Sequence, residues 1–340
     1  MCSLKKVKVR VVPHTPHSIL FGGFEVQMLA AMDAARASGS DVSQLDFWSL
    51  DKDFDTLHVW GFDLVHANLL EWATKAGKNI VLSALLPYPN LNKAVRHLVS
   101  SLIGPAKFRK PMLKMLSVLT VVNEQQANYA EKILSFPRDR IKIIPNIVDN
   151  VFFDLSKFPS GTESSETNGV ICTGNICERK NQLNLVLACK QVGLPVVLLG
   201  GVLSGEEAYA ANVEKAVKDF SGGSWIKHLS PNSPELVAAY HSSKIFALPS
   251  YDETQPISAL EAAATGLPVL LADRAYARQR LYKSAMLVNP KSVKSISNGL
   301  HNILACPNEF KLDPTLLESC RRASVGELYL EAYKLAQYQK

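Results

Sequence analysis

At 340 residues the chain is too long for a single ordinary core, and its length matches about two domains. Hydrophobic residues make up 47% and charged residues 20%, a globular composition that excludes an intrinsically disordered chain. The net charge of +6 is uneven: residues 1–150 hold 18 Lys and Arg against 13 Asp and Glu, and the remainder 19 against 18.

Val7–Val12 reads as a first strand, leading through His14–Leu20 to Gly22–Gly23–Phe24–Glu25 and a helix over about Phe24–Ser38. A glycine pair between strand and helix offers backbone N–H groups at a helix N-terminus, so Gly22 and Gly23 are candidates for a phosphate or acceptor loop. No G-x-G-x-x-G and no Walker sequence occurs, which argues against a dehydrogenase or a P-loop NTPase. Asp51, Asp53 and Asp55 lack the glycine and distal glutamate of a calcium loop and read as a solvated turn. Leu57–Trp60, Leu64–Ala67 and Asn79–Ser83 read as strands, and His66 as a strand-end residue.

From Trp72 to Asn123 the chain has no acidic residue. Lys93–Ile103 and Lys107–Leu119 are amphipathic and basic, and read equally as solvated helix faces or as a surface for an anionic partner. Arg96, Lys107, Arg109, Lys110 and Lys114 would supply a membrane or acceptor surface. Strands are expected at Val118–Val122 and Ile141–Ile144, with Asn123 capping a helix and Gln126 as its box partner. The polar stretch Lys157–Asn168 reads as a linker, giving an N-terminal domain over 1–150, a linker over 151–168, a second domain over 169–320 and a terminal helix over 321–340.

The second half alternates strand and helix with regularity: strands at Gly169–Thr173, Pro195–Leu199, Trp225–Leu229, Ile245–Leu248 and Met286–Val288, with a further strand after Pro268. Between them lie helices through Leu183, Val186 and Leu187, over Gly205–Phe220, from Pro234, and over Val293–Leu304. This is the rhythm of a doubly wound α/β domain. Glu253 falls in the loop after the Ile245 strand, and Glu261 two helical turns later, which places one acid at the mouth of a strand-to-helix crevice and one on the helix beside it. His228 and His241 read as loop residues. The six cysteines have no metal-like spacing and read as reduced and mostly buried. No run approaches the ~20 apolar residues of a membrane span, and the N-terminal stretch lacks a signal-peptide core, so a cytoplasmic protein, soluble or peripheral on the inner membrane face, is expected.

The Glu253-to-Glu261 spacing followed by PISALEAAATGLPVLLA resembles the E-x7-E signature of retaining GT4-type glycosyltransferases. Gly174–Lys180 (GNICERK) is similar to that family's G-R-x-x-x-[RK]-K loop, Gly22–Glu25 to its G-G-x-E, and Pro145–Asp149 to its P-N-G-V-D. The resemblance implies an α/β fold of two Rossmann-like doubly wound domains facing across a cleft (GT-B), with a C-terminal helix crossing back to the first. It also implies transfer of a sugar from a nucleotide-diphosphate sugar to a glycan or lipid-linked acceptor, with no cofactor, no metal and no nucleic-acid partner. On this resemblance Lys180, with Arg179 beside it, holds the diphosphate, Glu261 takes the ribose hydroxyls and Glu253 faces the donor sugar, so that Glu253 and Lys180 are the catalytic pair. Gly174, Asn175, Thr254, Gln255, Pro256 and Ile257 complete the donor-binding loops.

Three positions depart from the pattern: Asn175 stands where the family has its first phosphate-loop Arg, Ile147 where it has Gly, and Ser83–Tyr88 lacks the family's His. A nucleotide-sugar epimerase of the same architecture and a non-catalytic nucleotide-sugar-binding protein are the alternatives.

Overall fold

A computed structural model describes residues 6–19, 22–86, 109–154 and 169–338. The basic stretch Lys93–Ile103, with Arg96, lies outside these residues, as do Lys107, the side chain of Arg109 and the polar stretch Lys157–Asn168. The chain forms two compact units, Met1–Ile147 with Ser319–Lys340, and Val148–Glu318.

The first unit is built on six parallel strands: β1 (Lys8–Val12), β2 (Asp41–Gln44), β3 (Thr56–Trp60), β4 (Asn79–Ser83), β5 (Val118–Val121) and β6 (Ile141–Ile143), in the order β2-β1-β3-β4-β5-β6. β3 and β5 are buried along their whole length, as expected for parallel strands covered on both faces. On one face pack α1 (Gly23–Ala37) and the C-terminal helix, through Met28, Ala31, Ala34, Val325, Tyr329 and Tyr333. On the other pack α2 (Ala67–Lys75), α3 (Arg109–Met115) and α4 (Glu124–Lys132), through Leu70, Met112, Leu116, Ala127 and Tyr129.

Leu64–Ala67 is not a strand. Leu64–His66 form a 3-10 turn that runs straight into α2, because Asp63 accepts from the Val65 N–H at 3.4 Å and turns the chain. The segment is not inserted between its neighbours in sequence, since β3 pairs directly with β4. β2 was not legible as a strand: it is a short edge element whose sequence, Asp-Val-Ser-Gln, buries only Val42. The Asn123 side chain caps α4 by accepting from the Gln126 N–H at 3.0 Å, and Gln126 Oε1 accepts from the Val122 N–H at 3.1 Å.

The second unit carries β7 (Val170–Thr173), α5 (Gln182–Val192), β8 (Val196–Leu199), α6 (Glu207–Lys218), β9 (Gly223–Ile226), α7 (Pro234–His241), β10 (Ile245–Leu248), α8 (Ile257–Ala264), β11 (Val269–Ala272), β12 (Met286–Val288), α9 (Val293–Ala305) and α10 (Pro314–Leu317). α11 (Arg322–Gln337) is the C-terminal helix of the first unit. The second sheet is also six-stranded and parallel, in the order β12-β11-β10-β7-β8-β9. β7, β8, β10 and β11 are buried throughout, which matches their unbroken apolar runs. In α5 the buried face is Leu185, Val186, Ala188 and Cys189, while Leu187 is exposed.

The chain leaves β7 toward β8 and β9, then returns to the other side of β7 to lay down β10. The strand order therefore reverses between β7 and β10, and in open α/β sheets ligands bind outside the carboxyl ends of the strands at such a switch point. The loops that follow these two strands carry Gly174–Lys180 and Pro249–Pro256.

Candidate active site

The two switch-point loops are tied together backbone to backbone and side chain to backbone. The Tyr251 N–H donates to the Arg179 carbonyl at 2.8 Å, and Arg179 Nη1 donates to the Asp252 carbonyl at 2.5 Å. Asn181 sits in the left-handed region at φ +61°, a conformation asparagine tolerates. Its Nδ2 donates to the Pro249 carbonyl at 3.1 Å and the Pro290 carbonyl at 2.7 Å. This turn starts α5 immediately after Lys180 and fixes where the lysine projects.

The result is a charge cluster formed across 73 residues of sequence. Oε1 of Glu253 accepts from Lys180 Nζ at 3.0 Å, from Arg179 Nη1 at 2.8 Å and from Ser250 Oγ at 3.2 Å. The Lys180 and Glu253 side chains keep 13% and 11% of their exposure, against 46% for Arg179, so the pair is mostly dehydrated while the guanidinium stays open. Burial alone would push the Glu253 carboxyl up. The Lys180 and Arg179 charges and their hydrogen bonds outweigh it and hold the carboxyl below its ordinary range.

Lys180 lies directly over Gly174, which has φ +128°; a Cβ there would meet Lys180 Cε and Nζ at 3.0 Å each. Glycine at this position gives the ammonium its close approach to the end of β7. Asn175 is exposed, and its carbonyl accepts from Gln182 Nε2 at 3.0 Å.

Glu261, in the middle of α8, meets a different environment. Its Oε2 accepts from the Tyr240 hydroxyl at 2.9 Å, and that hydroxyl also bonds Thr173 Oγ1 at 2.8 Å. Desolvation pushes the carboxyl up to about 7, helped by the charge of Asp149 and opposed by the Tyr240 hydrogen bond. The two glutamates are therefore held in opposite states, one clamped as an anion and one near its titration midpoint at neutral pH.

Beneath the Glu253 loop lies a bracing set that the sequence did not single out. The Tyr276 hydroxyl donates toward the Leu248 and Ser250 carbonyls, both at 3.3 Å, and the Tyr282 hydroxyl donates to the Pro256 carbonyl at 3.3 Å. Gln279 Nε2 donates to the Thr254 carbonyl at 2.8 Å, and its Oε1 accepts from Gln255 Nε2 at 3.2 Å. Gln255 and Pro256 are thus buried structural parts of the loop, Thr254 and Ile257 are half-buried, and Ile257 opens α8. The hydroxyl roles of Tyr240, Tyr276 and Tyr282 depend on contacts that no local pattern records.

The other candidates carry less. His228 is exposed, and His241 is the last residue of α7, not a loop residue. In the first unit, Gly22 is extended and its N–H donates to Glu25 Oε2 at 2.9 Å, so α1 begins with its own carboxylate in place. His66 is buried, and burial lowers its pKa. Lys110 and Lys114 are exposed on α3. Four described cysteines are buried and Cys306 is exposed, all of them free. Among the described residues no group of three or more His, Cys, Asp or Glu is placed to hold a metal, and no helix is long and apolar enough to cross a membrane.

Solved structures align with nearly the whole chain. A glycosyltransferase from Rickettsia africae ESF-5 covers 98% of this chain and 99% of its own at a TM-score of 0.71 and 14% identity. Anabaena Alr3699/HepE in complex with UDP and glucose covers 98% of both chains at a TM-score of 0.65 and 12% identity. The fold is the GT-B fold.

Residues 155–316, which include every member of the β7/β10 cluster, match the family described as Glycosyl transferases group 1. A stretch of 83 residues is 39% identical to D-inositol 3-phosphate glycosyltransferase of Corynebacterium efficiens. That match takes in 24% of this chain and 19% of the relative, so the chain spans about a fifth of the length of the curated relatives it matches.

Proposed function

We propose that the chain moves a sugar from a nucleotide-diphosphate sugar to a hydroxyl of a glycan or lipid-linked acceptor, with retention at the anomeric carbon and without a metal ion. The observation that carries this reading is the Lys180–Arg179–Glu253 cluster at the β7/β10 switch point, where both cations share one carboxylate oxygen. A diphosphate entering there can take over the two N–H donors. Lys180 and Arg179 then meet the charge that develops on the leaving group, as preorganised donors in a partly dehydrated site. Glu253, released from the cations, accepts from hydroxyls of the donor sugar. Glu261 accepts from the ribose hydroxyls of the nucleotide.

In the bond-making step the bond from the anomeric carbon to the phosphate oxygen breaks as the bond to the acceptor oxygen forms on the same face. The acceptor proton passes to the departing phosphate oxygen, so no enzymic nucleophile is needed. The Glycosyl transferases group 1 match over residues 155–316 supports the donor half of this reading, as does the UDP named with a structure of the same fold.

The test is donor turnover with Lys180→Ala and Glu253→Ala in the presence of a chelator. Each substitution is expected to lower turnover by about a hundredfold or more, the scale of losing one transition-state donor, and the unsubstituted protein is expected to be indifferent to chelation. Wild-type turnover in both variants would overturn the site, product without any acceptor would point to an epimerase, and metal-dependent turnover would overturn the metal-free step.

A further inference from the structure

We propose that Glu206 and Tyr209, at the start of α6, are positioning residues for Arg179 and Lys180: they hold the two turns that flank these cations in the place from which a diphosphate is met. The identity of the anion rests on the transferase reading above; the brace itself rests on contacts within the second unit. Glu206 is the N-cap residue of α6 and Tyr209 lies in its first turn.

The stretch from Gly174 to Leu183 makes two helical starts in quick succession and caps neither from its own side chains. The 3-10 turn Glu178–Lys180 follows Cys177, and α5 follows Asn181; neither of these residues makes a side-chain cap hydrogen bond. The Asn181 amide is spent instead on the Pro249 and Pro290 carbonyls. Helix starts leave N–H groups without intrahelical acceptors, so acceptors must come from elsewhere. The start of α6 supplies two of them. Glu206 Oε2 accepts from the Glu178 N–H at 3.2 Å, and the Tyr209 hydroxyl oxygen accepts from the Leu183 N–H at 3.0 Å. Arg179 and Lys180 lie between these two anchor points in the chain.

The backbone between β8 and α6 prepares the same fit. The Ile176 N–H donates to the Gly201 carbonyl at 2.8 Å, and the Leu203 N–H donates to the Ile176 carbonyl at 3.1 Å. Gly200, at φ +143°, lies so close to the peptide of Gly174 that a Cβ would run into the Gly174 carbonyl. Gly174 is in turn the residue that Lys180 covers, so Gly200, Gly174 and Lys180 form one stack.

The consequence for binding follows from entropy. Lys and Arg carry long side chains, and a donor already held in place binds its anion without a further ordering cost. The Glu253 loop fixes the backbone of this turn through the Tyr251 N–H, which donates to the Arg179 carbonyl at 2.8 Å. Glu206 and Tyr209 fix it from a second element. Without them the cations keep their charge but lose part of their placement, so the loss falls on the diphosphate and not on the nucleoside.

The experiment measures binding of UDP, GDP and ADP, each beside its own nucleoside, to the full chain by ligand-observed NMR. A nucleoside lacks the diphosphate, so the ratio of the two affinities reports on the cations. Tyr209→Phe keeps the ring and removes the acceptor for Leu183. Glu206→Ala removes the acceptor for Glu178, and Glu206→Gln restores an acceptor without the charge. In Tyr209→Phe and in Glu206→Ala the diphosphate affinity is expected to fall about five- to tenfold with nucleoside affinity unchanged, while Glu206→Gln binds as the unsubstituted protein does. Equal weakening of nucleoside and diphosphate would overturn the proposal, as would an unchanged diphosphate affinity in either Tyr209→Phe or Glu206→Ala. A Glu206→Gln variant as weak as Glu206→Ala would also overturn it, since charge and not the hydrogen bond would then be the cause. An unsubstituted protein that binds no diphosphate more tightly than its nucleoside would reject the transferase reading and the brace with it. A preference for the diphosphate that survives the substitutions would reject the brace alone.

Discussion

The contrast between Glu253 and Glu261 is set by what each carboxylate touches. Glu253 faces two cations and stays ionised, whereas Glu261 faces a tyrosine hydroxyl in a desolvated niche and titrates near 7. On the proposed role, a carboxylate that accepts from two ribose hydroxyls must be deprotonated, so nucleotide binding would displace the proton from Glu261. Affinity is therefore expected to rise with pH up to about 7 and to flatten above it, with a limiting slope of about tenfold per pH unit below that point. The sign for stability is the reverse: a raised carboxyl favours the fold below its unfolded pKa, and that contribution is lost as pH rises through about 7. Tyr240→Phe removes the hydrogen bond that opposes the upward shift, so the affinity profile should move to higher pH. Glu261→Gln should flatten the profile. Calorimetric titration with UDP across this range measures both, and a pH-independent affinity in the unsubstituted protein would reject the assignment of Glu261 to the ribose.

Among the elements, α11 is the one whose place depends most on a distant partner. Its Gly326 packs onto α1 so closely that a Cβ would lie 2.4 Å from Ser38 Oγ and 2.5 Å from the Ala34 carbonyl oxygen. The serine can rotate away but the carbonyl cannot. Gly326→Val should therefore lift α11 from α1, at a cost of about 1–3 kcal/mol in the first unit. Tyr329 and Tyr333 ride on the same helix, so their packing in the first unit should loosen with it, while the UDP affinity proposed for the second unit stays unchanged. Denaturant unfolding measured beside UDP titration separates these effects, and unaltered stability would show that the helix contact is not tight in solution. α11 itself was legible from its helical apolar spacing. The stop at Leu64–Ala67 was not, because four apolar residues fit a short strand and a turn equally well and Asp63 decides between them only through one hydrogen bond.

On the scale of the whole chain, charge is the feature with a consequence. The excess of basic over acidic residues lies in the first 150 residues, and the 50 residues between Trp72 and Asn123 carry none of the acids that would offset it. Lys110 and Lys114 are exposed on α3. We propose that this stretch docks the protein on anionic lipid, an attraction that salt screens. Flotation with anionic liposomes should fall as salt rises, and should weaken further when Lys107, Arg109 and Lys110 are reversed to Glu. Indifference to both changes would reject membrane docking.

Two parallel α/β layers, the order of nearly all their elements and the two loops that carry Lys180 and Glu253 were readable from the chain alone. Buried parallel strands are continuous apolar runs and helices repeat near 3.6, so both leave local marks, as does a glycine ahead of a lysine at a strand end. Only the tertiary structure decided that Lys180 and Arg179 share one oxygen of Glu253, that Tyr240 holds Glu261, and that Tyr333 of α11 meets His58 of β3. Each of these contacts joins residues far apart in sequence. The strand order brings them together by returning β10 to the far side of β7 and α11 to the first sheet, and side-chain periodicity within any one element is blind to which strand lies next to it.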